Sequence, residues 1–170
     1  MKSRVPLKER SGNQQTQEND TSGDYLCQSL QGAGHSLAAR QIVKDDIYQI
    51  RARTSQWIAS DQVDAILITG GTGFSGRDST PEALAPLFDK AIDGFGELFR
   101  QLSYQDIGTS TIQSRALAGF ANNTVIFAMP GSARTMLEGV GDINTYDNVY
   151  SFIFKRFKRI CVRTVEKYEI

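Results

Sequence analysis

The seven residues Val63-Asp64-Ala65-Ile66-Leu67-Ile68-Thr69 constrain this chain more than any other stretch. A short, β-branched and nearly continuous apolar run needs cover on both faces, which is the situation of a strand inside a parallel sheet. Gly70-Gly71-Thr72-Gly73-Phe74-Ser75-Gly76-Arg77-Asp78-Ser79 follows at once. Thr80-Pro81-Glu82 then offers an N-cap, a proline at the first helical position and an acid in the first turn. A strand, a glycine-rich loop and a helix start in that order place the loop at the carboxyl edge of a sheet, where open α/β folds bind ligands.

The flanking sequence supplies more layers. Asp20-Thr21-Ser22-Gly23 reads as a capping sequence for a helix with Tyr25, Leu26 and Leu30 on one face, ended by Gly32-Ala33-Gly34. Residues 36–43 read as a strand, and Asp45 and Asp46 stand where a helix begins. Ile47, Ile50, Thr54, Trp57 and Ile58 recur at helical spacing, which completes a βαβ unit with the strand at 63–69. Downstream, Leu84, Leu87, Phe88 and Ile92 predict a core stripe, and Gly94 with Gly96 predict a break before Phe95, Leu98, Phe99 and Leu102 resume it. A short helix is expected around 110–120 from Ile112, Ala116, Leu117 and Phe120. A buried strand follows over Thr124–Met129, stopped by Pro130-Gly131-Ser132. The alternation predicts a three-layer α/β domain with a mostly parallel sheet. From Ile143 onward, aromatic and β-branched residues crossed by Lys155, Arg156, Lys158 and Arg159 leave helix and strand both open.

Charge narrows the partners. The 170 residues sum to zero, yet residues 20–154 carry nine basic against fifteen acidic side chains, while residues 155–170 carry six against two. A body this acidic disfavours nucleic acid over its main surface, and only the basic end keeps a nucleic-acid or membrane contact as a minor alternative. Residues 1–19 contain too few aliphatic side chains to offset their ordering entropy and are expected to be disordered. No apolar run has the length of a membrane helix. Cys27 and Cys161 fit no metal or redox spacing, so reduced thiols in a cytoplasmic protein are expected.

The chemistry concentrates at the glycine loop. Gly70, Gly71, Gly73 and Gly76 allow backbone N–H groups to approach phosphate oxygens, and Arg77 adds a planar cation. The helix starting near Pro81 is expected to add its dipole. No Gly-Lys-Ser/Thr follows and the G-x-G-x-x-G spacing is absent, so an ordinary tight βα connection is the plain competitor. Asp78 weighs against that competitor, because an acid beside a phosphate cradle calls for a divalent cation between them. Asp45 emerges on the same sheet edge, and the two carboxylates are candidate ligands for Mg²⁺ against a nucleotide. Their plain alternative is helix-start acids. His35, the single histidine, follows Gly34 in a turn, which disfavours Ser-His-Asp or Cys-His catalysis.

These residues form an ordered series: Asp20-Thr21-Ser22-Gly23, Ile68-Thr69-Gly70-Gly71-Thr72-Gly73, Arg77-Asp78, Thr80-Pro81-Glu82-Ala83, Gly94-Phe95-Gly96-Glu97, Leu102-Ser103-Tyr104, Gly108-Thr109-Ser110, Ser114-Arg115 and Pro130-Gly131-Ser132. Over about residues 20–132 the chain resembles the MoaB/Mog family of molybdenum-cofactor biosynthesis proteins. The resemblance implies a molybdopterin-binding α/β domain over about residues 20–138, assembled as a homotrimer or homohexamer. It also implies adenylylation of molybdopterin by MgATP with release of pyrophosphate; the alternative is an inactive molybdopterin-binding or scaffold protein of the same pathway. The family's essential acids fall on Asp45 and Asp78. Thr69, Gly70, Gly71, Thr72, Gly73 and Arg77 are expected around phosphates, and Ser103, Ser114, Pro130, Gly131 and Ser132 along the pterin. Both ends depart from the family: Arg4-Val5-Pro6-Leu7-Lys8 replaces an apolar first strand, and the helix expected after Ser132 is not recognisable past Glu138. The loss of a central strand is expected to expose apolar edges.

Overall fold

The structure is a computed structural model that describes residues 20–131 and 159–166. The readings for residues 1–19 and for most of 139–170 lie outside the described residues. Helix α1 spans Thr21–Gly32 and strand β1 spans Ser36–Lys44. Helix α2 covers Ile47–Ile58, and β2 covers Ala65–Thr69. A short α3, Thr80–Leu84, passes into a 3₁₀ turn at Ala85–Leu87 and the two-residue β3, Lys90–Ala91. Helix α4, Asp93–Ile107, continues into a 3₁₀ segment, Gly108–Gln113. Strands β4, Leu117–Ala121, β5, Thr124–Met129, and β6, Arg159–Glu166, complete the sheet.

The strand order is β1-β6-β2-β5-β4-β3. The first four are parallel; β4 runs antiparallel to β5, and β3 antiparallel to β4. Apolar residues leave both faces of the parallel part. Leu67, Phe127, Met129 and Val162 meet Leu26 and Leu30 of α1 and Phe95 and Phe99 of α4. Ile66, Ile68, Ile126 and Cys161 meet Ile50 and Trp57 of α2 and Leu84 of α3. Strand β2 is buried along its whole length, as its continuous apolar run predicts. The expected three-layer, mostly parallel architecture is therefore present.

Three expectations are corrected, and one open alternative is resolved. No helix runs through 110–120; Leu117–Ala121 is a strand, joined to β5 through Asn122 and Asn123, whose φ values are 46° and 63°. Two consecutive left-handed residues make the tight turn whose twist matches an antiparallel pair. The break at Gly94 and Gly96 is also absent, because α4 begins at Asp93 and includes both. Gly96 lies against β4's approach, where a Cβ would stand 2.6 Å from the Ala116 carbonyl. The stripe Leu84, Leu87, Phe88 and Ile92 does not lie on one helix; α3 stops at Leu84, and Ile92 is exposed. Last, the segment left open at the C-terminus contains a central strand, since β6 pairs along β1 on one side and β2 on the other.

Candidate functional site

Strands β1, β2 and β5 end at one edge, and their following residues converge there. Gly70 and Gly71 both have positive φ, 100° and 66°, a conformation that glycine adopts without a Cβ penalty. The turn passes close to β5's end, where a Cβ on Gly131 would lie 3.1 Å from Gly70 Cα. Thr69 Oγ1 donates to the Pro130 carbonyl at 3.4 Å, and Ser22 at the start of α1 donates to the Gly131 carbonyl at 3.3 Å. Thr69, Gly70, Pro130 and Gly131 are thus together, whereas Ser132 lies outside the described residues.

The carbonyls of the loop are engaged one after another. Thr80 Oγ1 donates to Gly70 O at 3.0 Å, and Thr80 N–H donates to Gly71 O at 3.0 Å. Arg115 N–H donates to Thr72 O at 3.0 Å, and its Nε–H donates to Gly73 O at 2.9 Å. The same guanidinium donates to Asp78 O at 2.8 Å and to Glu82 Oε1. By contrast, no acceptor among the described residues takes the N–H groups of Gly71, Thr72 or Gly73. The Thr72 hydroxyl is buried and meets no hydrogen-bond partner among the described residues. A loop with its carbonyls tied inward and successive N–H groups unspent has the donor set of an anion cradle.

The two acids are built into this loop. Asp46, not Asp45, caps α2, accepting from Tyr48 N–H at 3.0 Å and Gln49 N–H at 2.9 Å. Asp45 instead reaches across the edge, where its Oδ1 accepts from Ser79 N–H at 3.0 Å and Ser79 Oγ at 2.6 Å. Asp78 accepts from Ser75 N–H through Oδ2 at 2.9 Å. Asp45 therefore touches the residue that follows Asp78. The second oxygens, Asp45 Oδ2 and Asp78 Oδ1, are buried too. Among the described residues no group of three or more His, Cys, Asp or Glu side chains is placed to hold a metal. Two hard carboxylates beside a phosphate cradle nevertheless fit Mg²⁺, which commonly takes one or two protein carboxylates and completes its shell with phosphate and water.

Other expected residues divide. Arg77 is exposed, and its N–H donates to Ser75 Oγ at 3.4 Å. Ser114 sits beside Arg115, and its hydroxyl accepts from Ala116 N–H at 3.4 Å. Ser103 is buried in α4, with its hydroxyl donating to the Phe99 carbonyl at 2.8 Å. The helix starting near Pro81 is only five residues long, too short to carry the expected dipole. Arg115 and Ser79 were not among the expected site residues. Their signal in the sequence is faint, since a lone arginine or serine at a strand or helix boundary is common. For Glu82, burial raises the carboxyl, but the hydrogen bond and charge of Arg115 outweigh it and hold the group below its usual range.

Residues 9–146 match the family described as "Probable molybdopterin binding domain". Molybdenum cofactor biosynthesis protein B of Escherichia coli (strain K12) is 59% identical over 122 residues, 72% of each chain. The fold also superimposes on a crystal structure of a molybdenum cofactor biosynthesis protein B, with TM-score 0.70 and 39% identity over 85% of this chain and 91% of that one. A tungsten cofactor synthesizing protein MoaB from Pyrococcus furiosus gives TM-score 0.67 and 33% identity over 80% of this chain and 82% of its own. On sequence and on fold alike, this chain belongs to the MoaB/Mog family of molybdopterin-binding domains.

Proposed function

We propose that the protein acts in molybdenum-cofactor biosynthesis and adenylylates molybdopterin. In this reaction the terminal phosphate of the pterin attacks the α-phosphate of ATP, an oxygen–phosphorus bond forms, and pyrophosphate leaves. The observation that carries the reading is the pairing of unspent N–H groups at Gly71–Gly73 with the buried carboxylate of Asp78 and the half-buried one of Asp45 on the same edge. Phosphoryl chemistry of this kind needs alignment and charge neutralisation more than covalent help from the protein.

Each residue then has a task. The loop N–H groups hold phosphate oxygens, and the Thr72 hydroxyl donates to one of them. Asp45 and Asp78 hold Mg²⁺, which supplies neutralisation of the polyphosphate charge. Their bonds to Ser79 and Ser75 N–H fix the carboxylate planes before the ligand arrives. Pro130 and Gly131, drawn against Gly70, border the pterin side with Ser114.

Incubation with molybdopterin and MgATP, followed by pyrophosphate detection, tests the reaction. Asp78→Asn is expected to lower turnover by roughly a hundredfold or more, with oligomer size unchanged. Undiminished turnover removes Asp78 from the site. Molybdopterin binding without pyrophosphate release from the native chain replaces the enzyme reading with that of a binding or scaffold protein. The expected assembly is a trimer or hexamer, which sedimentation analysis checks.

A further inference from the structure

We infer that Arg115 is a positioning residue that holds the phosphate-binding loop in its donor conformation. The inference rests on the anion-cradle reading of that loop. Arg115 lies in the extended segment between the 3₁₀ turn and β4, and its backbone N–H, Nε and both terminal nitrogens donate to the loop or to α3. Its backbone N–H holds Thr72 O, its Nε–H holds Gly73 O, and a terminal N–H holds Asp78 O. Gly73 and Asp78 bracket the loop tip, so one planar group fixes both ends of a six-residue excursion. A third edge of the guanidinium meets Glu82 on α3 and sets its own rotation.

The consequence is a separation of backbone polarity. With the carbonyls of Thr72, Gly73 and Asp78 committed to Arg115, the lone pairs that repel an anion point away from it, and the N–H groups of Gly71–Gly73 keep the anion side. The fork is essential because the two carbonyls lie on different nitrogens of one rigid plane; a lysine ammonium is a point donor on a flexible stem and cannot reproduce it. Asp78 depends on the same contact. Its carbonyl is pinned by Arg115 while its carboxylate accepts from Ser75 N–H, so the residue cannot rotate without breaking one or the other.

The test uses the full chain with inorganic pyrophosphate and magnesium chloride as the probe in isothermal titration, with melting temperature measured on the same samples. Arg115→Ala and Arg115→Lys are each expected to weaken pyrophosphate binding roughly tenfold. Millimolar guanidinium is expected to restore binding to the alanine variant. Arg51→Ala is the comparison: Arg51 donates to the carbonyls of Ala83 and Glu82 on α3 without touching the loop, so its loss is expected to lower the melting temperature and leave affinity unchanged. If Arg115→Ala does not fold, the lysine variant answers alone. Native affinity in Arg115→Lys shows that charge rather than the fork is needed and overturns the inference. So does a native chain that binds no pyrophosphate. Loss of binding in these variants from a native chain that releases no pyrophosphate from molybdopterin and MgATP upholds the role of Arg115 while sinking the adenylylation.

Discussion

Asp45 and Asp46 are neighbours with different employments, the two residues between the end of β1 at Lys44 and the start of α2 at Ile47. Asp46 is within reach of two first-turn N–H groups, while Asp45 points across the sheet edge to Ser79. Asp46→Ala is therefore expected to cost about 1 kcal/mol of stability in denaturant titration and to leave pyrophosphate release intact. Asp45→Asn is expected to do the reverse. The sequence shows two acids at a helix start and cannot say which one caps, since the choice depends on a partner 34 residues away. Gly73 offers a second check. A Cβ there would stand 2.8 Å from Asp78 Oδ2, so Gly73→Ala displaces that carboxylate without straining the backbone. Roughly tenfold weaker nucleotide binding is expected from one such displaced charged contact, with the melting temperature nearly unchanged. At the start of α1, Arg40 of β1 reaches the fully buried Asp20 at 2.9 Å and Asp24 at 2.6 Å. Asp20→Ala removes both a helix cap and the partner of a half-buried cation, and a loss of about 2–4 kcal/mol in a melting curve is expected.

At the level of elements, periodicity was a good guide where an element buries one clear face. Helices α1 and α2 and strands β1, β2 and β5 lie close to their expected positions. It failed around Ile112–Phe120 because four apolar residues at helical spacing are also compatible with a 3₁₀ turn followed by a strand. The deciding feature was Asn122-Asn123, a turn signal between two apolar runs. Strand β6 was undecidable for a different reason: its two sheet neighbours are far earlier in the chain, so local pattern contains no trace of its pairing. The thiol of Cys161 reports on that pairing. It is fully buried, and burial pushes it up to about 11 despite a hydrogen bond with the Ala39 backbone. In the unfolded chain a thiol titrates near about 8.5. A raised folded value means that the stabilisation is fully present below the unfolded value and is lost as pH rises toward about 11. Iodoacetamide at pH 8 is expected to spare Cys161 in the native protein and modify it in urea; rapid native labelling would show that β6 is not inserted.

For the molecule as a whole, the glycine loop, the carboxylates and the end of β5 gather because four parallel strands deliver their carboxyl ends to one edge. That much of the site was legible from strand–loop–helix order. Arg115 was not, because apart from its bond to Glu82 its bonds run to backbone carbonyls, which any sequence possesses. No helix among the described residues is long and apolar enough to cross a membrane. The family match ends at residue 146, so β6 falls beyond it. Deleting residues 159–170 is therefore expected to expose the facing edges of β1 and β2 and abolish cooperative melting, even though the family-matching region remains intact.

Because β6 lies between β1 and β2, those two strands are joined in the sheet only through the hydrogen bonds each makes to residues 159–166. On the ribosome, the described strands through β5 emerge before β6, which must then enter between two strands made earlier. Synthesis and completion of the ligand edge are thus ordered events: a polypeptide stalled before Arg159 carries the glycine loop, Asp45 and Asp78, yet lacks the strand that sets their spacing.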